Sequence, residues 1–176
     1  MKEYLYAYVM SREDIKKVVS RYNPAVALPL LAIALLIISV PAKQHAAFFQ
    51  DYAYNFLIIG FSVIVINALM SALIAYFTRG RVYEIMFGLL HMTATAFIIN
   101  SAILALLYLM GMPFGVSSIL WAAAATLLST YYFIVLLAVC SGSIVGEENK
   151  KAEYTVEIAA LMLWYVFTFY ILPLTI

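Results

Sequence analysis

Residues 55–81 read NFLIIGFSVIVINALMSALIAYFTRGR, and the first 23 of them, 55–77, contain no Asp, Glu, Lys or Arg. A hydrocarbon core of about 30 Å is crossed by roughly 17–25 apolar residues in one helix. The stretch therefore predicts a membrane-spanning helix, closed by Thr78-Arg79-Gly80-Arg81, where a glycine and two cations follow the last apolar turn.

Four further apolar stretches have the required length, giving spans at about 24–42, 55–77, 85–110, 117–140 and 156–176. The first opens on Asn23-Pro24, a capping residue followed by a proline whose missing N–H does no harm there. Pro29 in its second turn predicts a kink. Gly111-Met112-Pro113-Phe114-Gly115 breaks the third run and Ser117-Ser118 starts the fourth, so these two form a tight hairpin. The fourth is expected to close at Cys140-Ser141-Gly142-Ser143, with the charged stretch from Glu147 to Glu153 as a polar loop. Ser39-Val40-Pro41-Ala42 resembles a signal-peptidase site, but 23 residues with their own helical pattern precede the first span, which is read as retained.

Composition agrees. Of 176 residues, 66% are hydrophobic and 11% charged, with mean hydropathy +1.01, whereas a soluble domain is about half apolar and a quarter charged. The fold class is therefore all-α: a polytopic integral membrane protein, a bundle of five transmembrane helices (24–176) preceded by a short amphipathic interfacial helix in a cytoplasmic segment (1–23). Membrane lipids are the expected partners. No basic stripe suits nucleic acid, and the lone Cys140 with His45 and His91 forms no zinc pattern.

Charge sets the orientation. Lys2, Arg12, Lys16, Lys17 and Arg21 precede the first span, Arg79 and Arg81 separate the second and third, and Lys150 and Lys151 separate the fourth and fifth. The alternate connections hold only Lys43. Nine of the ten cations fall on one side, which the positive-inside rule assigns to the cytoplasm of a multi-pass protein in the cell membrane. The N-terminus is expected inside and Ile176 outside.

Ser11-Arg12-Glu13-Asp14 reads as a helix start, with Ile15, Val18, Val19 and Tyr22 recurring opposite Lys16 and Lys17. Arg12, Lys16, Lys17 and Arg21 are thus candidate contacts to lipid headgroups or to a cytosolic partner. Tyr4, Tyr6 and Tyr8 alternate with Leu5, Ala7 and Val9, the period of an extended strand, although clustered tyrosines also mark a membrane interface.

Polar residues inside spans are costly and are the first place to look for function. Asn67, Glu84, His91, Thr95 and Asn100 form the candidate intramembrane polar site. Glu84, Gly88, His91 and Thr95 fall on one helical stripe, which suits either a ligand or proton path through His91 or a hydrogen bond to a neighbouring helix. Thr93 and Asn100 share another face, which Asn67 is placed to meet. Ala68-xxx-Ala72, Ser71-xxx-Ala75 and Ala122 to Ala125 allow close helix approach, predicting a homo-oligomer or association with other membrane subunits. The sequence shows no phosphate-binding glycine loop, nucleophile–base pair or haem ligand set, so no cofactor, metal or catalytic residue is expected, and no enzyme.

The short N-terminal segment, the Asn23-Pro24 start, the rhythm of five close spans and the outward C-terminus together resemble the Yip family of Rab-interacting membrane proteins, in its short prokaryotic form. The Asp-Leu-Tyr-Gly-Pro motif and Gly-Tyr pair of eukaryotic members do not occur here. The resemblance implies a five-helix scaffold acting through partners or lipids. Two alternatives stand beside it: an accessory subunit of a respiratory or oxidase-type complex, and a small permease or channel.

Overall fold

The structure, a computed structural model, describes residue 17 and residues 23–39, 48–111, 118–145 and 149–171. These form five α-helices: α1 Pro24–Ile38, α2 Phe48–Thr78, α3 Val82–Gly111, α4 Ser118–Val145 and α5 Lys150–Val166. A π-helical turn, Phe167–Ile171, extends α5. No strand occurs among the described residues. Of the N-terminal features expected from sequence only Lys17 is described, and it is exposed; the Tyr4–Tyr8 strand, the rest of the amphipathic helix with Arg12, Lys16 and Arg21, and the 112–117 hairpin turn lie outside the described residues.

Local chemistry explains the starts. The Asn23 side chain accepts from Ala25 N–H at 3.0 Å, and Pro24 occupies the first helical turn. Asn149 caps α5 in the same way, accepting from Ala152 N–H at 3.2 Å. The α2–α3 turn holds one departure from expectation. Arg79, not Gly80, takes the left-handed conformation, with φ of 54°. The Thr78 hydroxyl steadies the turn, donating to Ile74 O at 2.9 Å and accepting from Gly80 N–H at 3.2 Å.

Helix ends differ from the sequence reading: α2 begins at Phe48, seven residues before Asn55, and α3 at Val82, three before residue 85. The first span stops at Ile38, where Ser39 N–H bonds Leu35 O. The fourth does not close at Cys140-Ser141-Gly142-Ser143 but runs on to Val145. Ser141 and Ser143 satisfy their hydroxyls on Leu137 O and Val139 O one turn back, and Gly142 lies against Glu157 of α5, so the small polar residues fit inside the helix. The expected polar loop over Glu147–Glu153 is helical from Lys150, because the Asn149 cap starts α5 there and Glu153 is buried within it.

Central helix α3 packs against α1, α2 and α4, and α5 packs on α4 and α2. On α2 the buried residues Ile59, Val63, Ile66, Met70 and Ile74 recur every three or four positions, while Leu57, Phe61, Ile64, Leu69 and Tyr76 are exposed. Inside and outside are thus equally apolar, the pattern of a helix surrounded by apolar material on every side. Among the described residues three helices are long and apolar enough to cross a membrane: Gln50–Thr78, Val82–Ile103 and Lys150–Ile171. Pro24–Ile38 and Thr130–Val145 are shorter apolar helical stretches.

Short connections make successive helices antiparallel. Tyr52 O–H donates to Leu36 O at 2.9 Å and the Asn55 amide to Ser39 O at 3.3 Å, joining the end of α1 to the start of α2. A Cβ on Gly60 would come within 3.2 Å of Leu35 Cδ1, so glycine permits the close α1–α2 approach. The α2–α3 and α4–α5 connections therefore emerge at one end of the bundle. That end carries Arg79, Arg81, Lys150 and Lys151 and is called the basic end below.

Candidate functional site

Counting helix rise from the basic end locates the polar groups. Thr93 is eleven residues from Val82, and Asn67 eleven from Thr78, which puts both about 16 Å in from that end at 1.5 Å per residue. There Thr93 donates to Asn67 Oδ1 at 3.1 Å, with both residues buried. The Asn67 amide donates to Val63 O at 2.8 Å, and Ser71 O–H donates to Asn67 O. Asn67 thus meets the α3 face that carries Thr93, as its spacing suggests, and the cluster locks α2 to α3 at mid-length.

The Glu84–Thr95 stripe does not gather into one site. Glu84 sits at the basic end and is half-buried, its carboxylate 3.3 Å from Arg81, whose guanidinium also donates to the Tyr83 hydroxyl at 3.0 Å. The Tyr83 hydrogen bond first, and Glu84 second, raise the pKa of Arg81 above its ordinary value. His91 is buried farther along α3, and Thr95 O–H donates to His91 O at 2.7 Å. Asn100 is half-buried and lines a small cavity with Tyr132, Phe133 and Leu136 between α3 and α4.

Three features escaped the sequence reading. The first is the α4–α5 contact near the basic end: Gly142 and Glu157 touch, and Glu153, one turn earlier on α5, is 3% exposed. The pairing required knowing that α5 begins at Lys150, three positions before the expected loop ends. The second is an aromatic cluster. Phe97 stacks on Phe133 at 4.7 Å between ring centroids, and Trp164 meets Phe97, Phe133 and Phe167 edge-on at 6.2, 5.6 and 5.4 Å. Edge-to-face rings at these separations attract beyond their burial. Phe97, Phe133 and Trp164 each stand about 18–22 Å from the basic end by helix rise, and that common height was the available signal.

The third feature is an apolar groove of about 760 Å³ on the outer side of α4 and α5. Leu127, Tyr131, Val135, Met162, Tyr165 and Phe169 are among its walls. Among the described residues no group of three or more His, Cys, Asp or Glu side chains stands close enough to hold a metal ion.

Comparison of the chain with protein-family models, with curated proteins and with solved structures finds no match in any of the three.

Proposed function

We propose that this chain is a five-span protein of the cell membrane, with its basic end and N-terminus in the cytoplasm, that organises protein or lipid partners and performs no chemistry of its own. The observation that carries this reading is where the polar groups are used. Asn67, Ser71, Thr93, Thr95, Ser141 and Ser143 all bond within or between the helices, while the outer surface presents large apolar side chains such as Leu57, Phe61, Leu127 and Met162. Interhelical polar bonds of this kind hold membrane bundles together, and an exterior of that composition suits acyl chains or the helices of other subunits.

Five crossings follow if α1 and α4 cross with the other three. The full α4 has 28 residues, or about 42 Å of helix. Val26, Leu28, Ile33, Leu36 and Ile37 of α1 are exposed, as a lipid-facing helix requires. The Yip resemblance agrees with this architecture and supplies the scaffold role. Gentle extraction of the protein from its native membrane, with mass spectrometry of everything retained, tests the proposal. Recovery alone or as a homo-oligomer with lipid supports it; cofactor-bearing chains in fixed ratio would make it an accessory subunit instead.

A further inference from the structure

At the basic end the described cations face outward. Arg79, Arg81, Lys150 and Lys151 are all exposed. Of the described carboxylates at the same end, Glu153 is 3% exposed and Glu157 is half-buried against Gly142, while Glu84 reaches out to Arg81. Arg81 is answered by Glu84 and Tyr83. Arg79, Lys150 and Lys151 make no ion pair with any described residue.

Arg79 is also the described non-glycine residue held at positive φ. An L side chain pays for that conformation with a clash that glycine avoids, and Gly80 stands next to it. Strain of this sort persists where something else holds it in place. The cations also have apolar company. Tyr76, three residues before Arg79, is 79% exposed, and Tyr154, three residues after Lys151, is 57% exposed. Each cationic site therefore stands above an exposed tyrosine one turn into an apolar helix, the arrangement of a headgroup layer over an interfacial aromatic belt.

We propose that Arg79, Lys150 and Lys151 form a docking surface for the phosphate headgroups of anionic phospholipids, with the Arg79 guanidinium as the forked phosphate ligand. The proposal rests on the reading of the helices as membrane-crossing with this end at one membrane surface. Lipid, not a soluble acidic partner, is the occupant that the adjoining tyrosines and apolar helix walls suit. Juxtamembrane cations attract an anionic leaflet additively and lose that attraction as salt rises.

The test uses the full chain in vesicles of phosphatidylcholine, with or without phosphatidylglycerol, read by melting temperature and by the lipid retained in native mass spectrometry. Phosphatidylglycerol should raise the melting temperature of the wild type and be retained preferentially, both effects shrinking with salt. Arg79→Gln, Lys150→Gln and Lys151→Gln together should abolish the increment, each neutralised cation costing about fivefold in apparent affinity. Arg79→Gly separates the two roles of that residue: in phosphatidylcholine it should melt at or above the wild-type temperature, yet lose part of the phosphatidylglycerol increment. Equal increments in wild type and triple variant would overturn the proposal, as would the same increment from inorganic phosphate or a soluble polyglutamate in pure phosphatidylcholine. A chain stripped from vesicles by alkaline carbonate would overturn the membrane-crossing reading as well; a chain that stays inserted but ignores phosphatidylglycerol would overturn this proposal alone.

Discussion

Gly142→Ala should loosen the α4–α5 contact by a calculable amount. The added Cβ would stand 2.8 Å from Glu157 Cδ and 2.7 Å from its Oε1, where ordinary contact begins at 3.4 Å. The shortfall to Cδ, 3.4 minus 2.8, is about 0.6 Å. Glu157 Cγ lies nearer still, and Cγ is close to the backbone, so swinging the carboxylate aside does not clear the space. Overpacking of this kind costs about 1–3 kcal/mol, and a domain of this size loses roughly 2–4 °C per kcal/mol. The expected fall in melting temperature is thus about 2–12 °C. Cys140 of the same helix is fully buried, so its reaction with a thiol-reactive dye in the detergent-purified protein reports loosening of the bundle around α4. Glu157→Ala removes the obstructing atoms, so in that background Gly142→Ala should cost markedly less, a coupling of about 1 kcal/mol or more. A Gly142→Ala protein that melts with the wild type, or one whose loss is the same with Glu157→Ala, would mean that Glu157 does not limit the space beside Gly142.

Other substitutions probe the remaining contacts, each by the same melting assay. Thr93→Val removes the hydroxyl that reaches Asn67 and should cost about 0.6 kcal/mol, the average for interhelical hydrogen bonds in membranes, and at most about 2 kcal/mol; a double-mutant cycle with Asn67→Ala should show the two costs to be non-additive. Trp164→Ala empties the centre of the aromatic cluster and should cost about 3–5 kcal/mol, whereas Tyr170→Ala, at a residue 64% exposed, should change stability by no more than about 0.5 kcal/mol. Asn149→Ala deletes the α5 cap and should cost about 1 kcal/mol.

The apolar runs and their breakers made the helical class legible, because a charge-free run such as 55–77 leaves few other structures open. Capping chemistry was legible where it is local, as at Asn23. What sequence could not display were terms that depend on a neighbouring helix. Ser141-Gly142-Ser143 looks like a helix stop in isolation. The serines bond their own helix, and the glycine is needed because Glu157 arrives from α5. Glu153 looks like a loop residue for the same reason: its burial is created by packing, not by its immediate sequence. Arg79 at positive φ reverses the usual preference for the adjacent Gly80, a choice only the turn as a whole determines. At the polar site, the face shared by Thr93 and Asn100 was legible from their seven-residue spacing, with Asn67 placed to meet it; that Thr93 is the partner follows from the height at which α2 and α3 meet. The Glu84–Thr95 stripe shared a face by spacing, but Glu84 is drawn to Arg81 at the helix end.

The central claim, a bundle crossing the membrane five times with its basic connections on one side, is tested most directly by labelling single cysteines in sealed, oriented vesicles. In a Cys140→Ser background, cysteines placed at Gly80, Gly115, Lys150 and Gln44 are treated with a membrane-impermeant maleimide from each side in turn. Five crossings require that Gly80→Cys and Lys150→Cys label from the cytoplasmic side only, and Gln44→Cys and Gly115→Cys from the other side only. Labelling of Gly80→Cys and Gly115→Cys from the same side would contradict the claim, because α3 would then not cross.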